Sequence, residues 1–229
     1  MEDFHTAGAM GALLRELQPL LHLDCPTVTG ETLGARLQAA PGYVDRSVIR
    51  PRDDAFEDVG GLVALFGNLA PGGAILKRSA ADPTLFESTG RAVVFSSLED
   101  LAARIDSDDL DVKADDILVL QNAGPKSPSG MPEAGYIPIP KKLAQAGVKD
   151  MIRISDCRMS GTAFGTIVLH VTPEAAVGGA IGLVQYGDEI RLSISNKSLE
   201  LLIDDAELER RRQANPPQPA APTRGYAKL

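Results

Sequence analysis

Arg153-Ile-Ser-Asp-Cys-Arg-Met-Ser-Gly-Thr-Ala-Phe-Gly-Thr166 places a polar, glycine-punctuated turn between two apolar runs, Met151 to Ile154 and Ile167 to Val171. Ser160 lies at its centre, between Met159 and Gly161, with Asp156 and Arg158 just before it. A hydroxyl on a tight turn between two buried segments is held in place yet stays reachable. Gly161 and Gly165 permit open dihedrals and bring backbone N–H groups close to a ligand. Those features suit an activated serine beside an anion cradle. Read alone, the same residues also describe an ordinary Ser-Gly turn.

Working outward, the chain of 229 residues is long enough to bury a full core. Its net charge of -8 argues against nucleic acid and against an anionic membrane surface, since both attract basic patches. Cys25 and Cys157 have no CxxC spacing, which fits a reducing compartment and offers no metal site by itself. No run reaches the roughly 18 apolar residues of a membrane helix, and no basic-then-apolar leader opens the chain. A cytoplasmic location is expected.

Met10, Leu13, Leu14, Leu17, Leu20 and Leu21 recur at helical spacing, so residues 1–22 read as one amphipathic helix whose broad apolar face suits docking to another domain. Residues 29–38 read as a second helix capped by Thr29. Residues 41–58 read as an extended connector. Pro71-Gly72-Gly73 divides two apolar runs into strand, turn and strand. Without Gly-Lys-Ser/Thr or GxGxxG, this glycine pair is no phosphate loop.

Arg91 to Phe95 and Ile117 to Leu120 read as strands, and Ser97 to Ile105 as a helix capped by Ser97. The aspartates at 106, 108, 109, 111, 115 and 116 lack calcium-loop spacing and are read as a solvated face. Gln121 to Gly135 is broken repeatedly by glycine and proline, as exposed loops at strand ends are. Within it Glu133, fixed by Pro132, is a plausible hard-metal ligand, although such a residue is more often a surface carboxylate.

Pro140 to Ala146 reads as a short helix and Thr166 to Val171 as a strand, in which His170 is a satisfied core histidine. Ala180 to Val184 and Ile190 to Ile194 read as strands around a turn at Tyr186-Gly187-Asp188, followed by a strand from Ser198 to Ile203. Asp204 to Arg212 reads as a helix with arginines at its C-terminal end. A proline-rich linker runs from Asn215 to Thr223. Periodicity as a whole gives a mixed α/β chain.

Several of these stretches together resemble one family. They are Ser155-Asp-Cys-Arg-Met-Ser-Gly-Thr-Ala-Phe-Gly-Thr166, Leu169-His-Val-Thr-Pro-Glu-Ala175, Gly178-Gly179, Gly67-Asn-Leu-Ala-Pro-Gly-Gly-Ala-Ile-Leu-Lys77, Gly124-Pro-Lys126 and Gly130-Met-Pro-Glu133. They are similar to the C-terminal part of the dihydroxy-acid and sugar-acid dehydratases. Ser127-Pro-Ser129 departs from the Gly-Tyr-Pro usual in the sugar-acid branch. The resemblance implies a β-barrel-like swivelling domain flanked by helices and preceded by a helical segment. The implied organisation is a helical segment and connector over residues 1–58, a barrel over 59–212 and a proline-rich tail over 213–229.

It implies further that Ser160 is the catalytic base, acting as an alkoxide on the proton next to the carboxylate. Glu133 becomes a magnesium ligand, and Thr162 a neighbour that hydrogen-bonds substrate. Asp156 and Arg158 either join the site or brace the turn. The family uses a [2Fe-2S] cluster and Mg2+, the latter held partly by a carbamylated lysine. Its cluster cysteines, magnesium-binding Asp and modified Lys lie in a larger N-terminal domain whose motifs are absent here. The chain is therefore expected to be a fragment or split product carrying half an active site, inactive alone, and homo-oligomeric in full-length form.

Arg158-Met-Ser-Gly-Thr-Ala-Phe-Gly165 and Met1-Glu-Asp-Phe-His5 resemble the branch acting on sugar acids such as arabinonate and xylonate. The alternatives are a branched-chain dihydroxy-acid dehydratase, recognised by Gly-Arg-Phe-Ser-Gly, and a non-catalytic swivelling or binding module. A serine hydrolase would need a His and an acid beside Ser160, and no Gly-x-Ser-x-Gly elbow is present.

Overall fold

The helical spacing at the start of the chain is interrupted at Gly8, where an unbroken leucine stripe gives no warning. The computed structural model describes residues 1–131, 137–158 and 164–215. These divide between two units, Met1–Val59 and Gly60–Leu229. In the first, α1 (Glu2–Thr6) and α2 (Ala9–Glu16) replace the single expected helix, with a 3-10 turn at Gln18–Leu20. Gly8 takes φ 113°, and a Cβ there would fall 2.6 Å from the Tyr43 carbonyl oxygen. Ala7, Ala12 and Ile49 form the small core of this unit, with Phe4 and Val44 packed on it.

The helix α3 (Leu33–Ala39) starts later than expected, capped by Thr32 and not Thr29. The Thr32 hydroxyl accepts from the Ala35 N–H at 3.2 Å. Thr29 belongs to a turn closed by the Gly30 N–H and the Thr27 carbonyl, where Gly30 has φ 83°.

The second unit contains eight strands among the described residues: β1 (Val63–Leu65), β2 (Gly73–Leu76), β3 (Glu87–Phe95), β4 (Ile117–Leu120), β5 (Arg153–Ser155), β6 (Ile167–Thr172), β7 (Glu189–Ser193) and β8 (Ser198–Leu201). Their order is β1-β2-β6-β5-β4-β3-β7-β8. The central four, β3 to β6, are mutually parallel, and the flanking pairs are antiparallel. β3 serves both regions: Glu87 to Arg91 pair with β7, and Ala92 to Phe95 with β4.

The two ends of the sheet meet at Phe66, whose N–H donates to the Lys197 carbonyl at 2.9 Å while its own carbonyl accepts from Leu199 at 2.8 Å. This bridge nearly closes the sheet into a barrel. Gly67 permits the approach, because a Cβ there would overlap the Leu199 carbonyl.

Alternation along β4 assigns its side chains to two cores. Ile117 and Val119 join the barrel interior with Leu65, Leu76, Ile154, Val168 and Leu199. Leu118 and Leu120 face a second core with Phe95, Leu101, Ile105, Met151 and Leu169. That outer core lies under α4 (Leu98–Arg104), capped by Ser97 as expected, with Leu143 of α5 (Lys141–Gln145) packed on it. A parallel strand covered on both faces needs a continuous apolar run, which is what Ile117 to Leu120 supplies.

Residues 180–184 are not a strand. Ala180–Leu183 is a 3-10 turn buried in the barrel core. The Gln121 amide donates to the carbonyls of Ile181 at 2.8 Å and Val184 at 2.9 Å, satisfying groups that a ladder would otherwise need. β7 therefore pairs with β3 and β8. The last helix, α6 (Asp205–Ala214), is fixed by Arg211, which donates to Asp188 at 2.5 and 2.9 Å and to the Leu183 carbonyl at 3.1 Å.

The acidic run at 106–116 is more than a solvated face. Arg91 donates to both carboxylate oxygens of Asp116, at 3.1 and 2.7 Å, and to Asp111 at 2.8 Å. Tyr186 adds its hydroxyl to Asp111 at 2.7 Å. Asp116 is only 4% exposed. Arg91→Ala leaves that carboxylate with the Lys113 N–H at 2.7 Å but without its cation, and should lower the unfolding free energy by about 1–3 kcal/mol, less than for a fully enclosed pair because Arg91 is partly solvated. Urea denaturation of the variant measures it.

Candidate functional site

Because β3 to β6 run parallel, their carboxyl ends open on one end of the barrel, the usual place for ligands in parallel sheets. Ser96, the loop from Gln121, the turn from Asp156, and Pro173-Glu174 all leave from that end. An open groove of about 470 Å3 between β3, β7 and β8, lined by Glu87, Thr89, Arg191 and Glu200 among others, includes none of these segments.

Asp156, 1% exposed, joins three of them. One carboxylate oxygen accepts from the Ala123 N–H at 2.9 Å and the other from the Ala175 N–H at 2.9 Å. Burial raises its pKa, and the two N–H groups oppose that rise. Glu174 lies beside it and takes the Lys126 N–H on both oxygens, at 3.0 and 2.9 Å. Its pKa is also raised by burial. Gly124 has no room for a side chain, since a Cβ would overlap the Glu174 carboxylate.

The Ser127-Pro-Ser129 departure gives the loop its own closure. The Ser127 hydroxyl donates to the Gly124 carbonyl at 2.7 Å and lies 2.7 Å from the Ser129 hydroxyl. Ser129 donates in turn to the Asn122 carbonyl at 3.3 Å.

Ser160 and Thr162 fall in residues 159–163 and Glu133 in residues 132–136, so all three lie outside the described residues. Their flanks are described: the entry flanks are hydrogen-bonded directly, and the exit flanks are both bonded to Arg153. On the entry side the Arg158 Nε donates to the Met131 carbonyl at 3.1 Å. On the exit side Arg153 donates to the Ile137 carbonyl at 3.1 Å and to the Phe164 carbonyl at 3.5 Å. Met131 and Arg158, which precede the two segments, and Ile137 and Phe164, which follow them, are thus each held as a pair.

Arg153 is 2% exposed and pairs with Asp150 at 2.5 Å. Asp150 also accepts from the Thr166 N–H at 2.8 Å and hydroxyl at 2.7 Å. Contiguous motifs do not single out Arg153, Asp150 or Glu174; the available signal is an arginine between Ile152 and Ile154, a charge set inside an apolar strand.

His170 is half-buried at φ 56°, in a bulge where the β2–β6 register slips. Its N–H donates to the Cys157 carbonyl at 3.0 Å, and burial lowers its pKa. Bulges often flank sites, where they re-aim a side chain. Cys157 is enclosed, and burial raises its thiol to about 11, which makes it an inert packing residue. Among the described residues no group of three or more His, Cys, Asp or Glu converges as a metal site. The carboxylates at this barrel end are occupied by backbone N–H groups, so these residues do not fit a complete magnesium or cluster site.

Comparison with known proteins places the sequence in a family. Residues 47–229 match the family described as dihydroxy-acid/6-phosphogluconate dehydratase C-terminal. A 6-deoxy-6-sulfo-D-gluconate dehydratase of Pseudomonas putida is 47% identical over 232 residues, covering 100% of this chain and 40% of the relative. An L-arabinonate dehydratase of Rhizobium leguminosarum bv. trifolii is 47% identical over 231 residues, with the same coverage of 100% and 40%. A dihydroxy-acid dehydratase of Syntrophobacter fumaroxidans is 41% identical over 230 residues, covering 99% of this chain and 40% of the relative. The chain spans about two-fifths of the length of these relatives. With the match running from the connector through every strand of the barrel, the chain belongs to the dihydroxy-acid/6-phosphogluconate dehydratase family and corresponds to its C-terminal part.

Proposed function

We propose that this chain supplies the C-terminal half-site of a hydro-lyase that converts a sugar acid, an aldonate, into its 2-keto-3-deoxy acid. One observation carries the reading: the flanks of the Ser160 and Glu133 segments are hydrogen-bonded on both sides, through Arg158 to Met131 and through Arg153 to Ile137 and Phe164. Dehydration of a 2,3-dihydroxy acid needs a strong base at C2 and help for a poor leaving group at C3. Ser160 is the base: its oxygen takes the C2 proton, the C3–O bond breaks with its electron pair on the departing oxygen, that hydroxide takes up one proton and leaves as water, and the resulting enol tautomerises to the 2-keto acid.

Thr162 hydrogen-bonds the substrate, and Glu133 would offer one carboxylate to a bound magnesium ion. When bound, a [2Fe-2S] cluster and Mg2+ would supply Lewis acidity. Their remaining ligands are assigned to the roughly three-fifths of the relatives' length that lies outside the matched part. A cytoplasmic location and a homo-oligomeric full-length form belong to the same reading. The sugar-acid branch is favoured over the branched-chain branch because the sugar-acid relatives are 47% identical and the S. fumaroxidans dihydroxy-acid dehydratase 41%.

The test joins this chain behind the N-terminal part, about three-fifths, of the R. leguminosarum L-arabinonate dehydratase. The isolated chain should form no keto acid. The completed enzyme should form it from L-arabinonate faster than from 2,3-dihydroxyisovalerate. Turnover by the isolated chain, or the reverse substrate order, contradicts the proposal.

A further inference from the structure

We infer that Arg153 is a positioning residue for this reaction, fixing Ile137 and Phe164, the residues that directly follow the Glu133 and Ser160 segments; the inference rests on the half-site reading above. Four observations carry it. The guanidinium reaches the exit flanks of both segments at once, through the Ile137 and Phe164 carbonyls. Its Nε donates to the Met151 carbonyl at 3.1 Å, which sets the plane of the fork. Asp150 holds it from the side at 2.5 Å, and Asp150 is itself held by the Thr166 N–H and hydroxyl. Gly165, at φ 107°, leaves the space: a Cβ there would overlap Nη2 and lie 2.6 Å from the Asp150 carboxylate.

A buried ion pair is a poor device for stability, since desolvating two charges offsets most of their attraction. What it offers here is geometry. A planar fork with five donors can address two carbonyls and a carboxylate in fixed directions, whereas a lysine ammonium on a flexible stem cannot. A base and a metal ligand on separate segments need such a spacer, because a displacement of about 1 Å at a reacting centre can cost on the order of 100-fold in rate.

Arg153→Lys is the decisive variant. It keeps the charge beside Asp150, which retains its Thr166 partners, and removes the fork. In the full chain, amide exchange at Ile137 and at Gly165 should accelerate together by at least about tenfold, with Ile190 and Leu199 of the barrel unchanged. This readout does not depend on catalysis, so it stands apart from failure of the proposed activity. In the completed enzyme kcat should fall by about 10- to 100-fold with KM within about twofold.

Gly165→Ala approaches the same contact from the opposite side and should give the same paired signature if Arg153→Lys does not fold. Exchange that rises throughout the barrel, or at only one of the two flanks, would show a plain packing role and overturn the inference. An unchanged kcat in an active completed enzyme would do the same.

Discussion

Ser160→Ala in the completed enzyme is expected to lower kcat for the aldonate by about 10²- to 10⁴-fold, the usual contribution of a positioned base, while KM stays within a few-fold. The split follows from the role. The serine oxygen takes its proton only in the transition state, so removing it leaves ground-state binding by the rest of the site intact. Initial rates at varied aldonate, followed by keto-acid formation, measure both parameters. A variant with raised KM and unchanged kcat would make Ser160 a binding residue and assign the base to another group.

Asp156→Ala carries the largest expected cost in stability. Its carboxylate accepts from the Ala123 and Ala175 N–H groups, both at 2.9 Å. Stranding two donors in a buried place costs about 1–3 kcal/mol each, so unfolding should ease by about 2–6 kcal/mol. The same residue predicts an unusual pH dependence. Its folded pKa lies above the model-compound value of 3.8, because burial penalises the charge. A raised folded pKa contributes stability that is complete below the unfolded value and is lost as pH rises through the folded value. Glu174, raised above 4.5 by the same cause, acts in the same direction.

The cost of Asp156→Asn should therefore be larger near pH 4 than near pH 7, as read from urea midpoints across that range. Asp111 sets the opposite sign within one chain. Arg91 and Tyr186 lower it to about 2, so its contribution is present above pH 4 and fades as pH falls toward that value. A cost of Asp156→Asn that grows with pH would mean that the carboxylate is stabilised as an anion.

Local patterns in the sequence carried a good part of the fold. Ile117 to Leu120 was recognisable as a strand because four apolar residues lay between polar pairs. Ser97 announced α4 because its hydroxyl had an N–H to cap, that of Asp100 at 3.2 Å. The run at Ala180 to Val184 misled for a tertiary reason: its carbonyls are satisfied by a glutamine from the end of β4, so an apolar segment could be buried without joining the sheet. Gly8 breaks the first helix because of a carbonyl 35 residues further on, which helical spacing does not register.

The candidate site is a different case, because Ser160, Thr162 and Glu133, the residues named from sequence, lie outside the described residues. Contiguous motifs picked out the Ser160 turn and the Gly124 to Glu133 loop, since each is written in one stretch. Their braces are not. Arg153 acts on carbonyls 16 and 11 residues away, and Glu174 on an N–H 48 residues away. Only the fold brings those together. Asp156 was readable as a residue of interest, yet its task as an acceptor for two distant segments emerged from the structure alone.

A crystal structure of the completed enzyme with magnesium and an aldonate bound tests the central claim most directly. The account predicts the Ser160 hydroxyl oxygen within about 3–3.5 Å of substrate C2, the reach of a near-attack geometry, with the Glu133 carboxylate on the metal at the same end of the barrel. A Ser160 oxygen packed into the barrel interior, or directed to the end opposite Glu133, would contradict it.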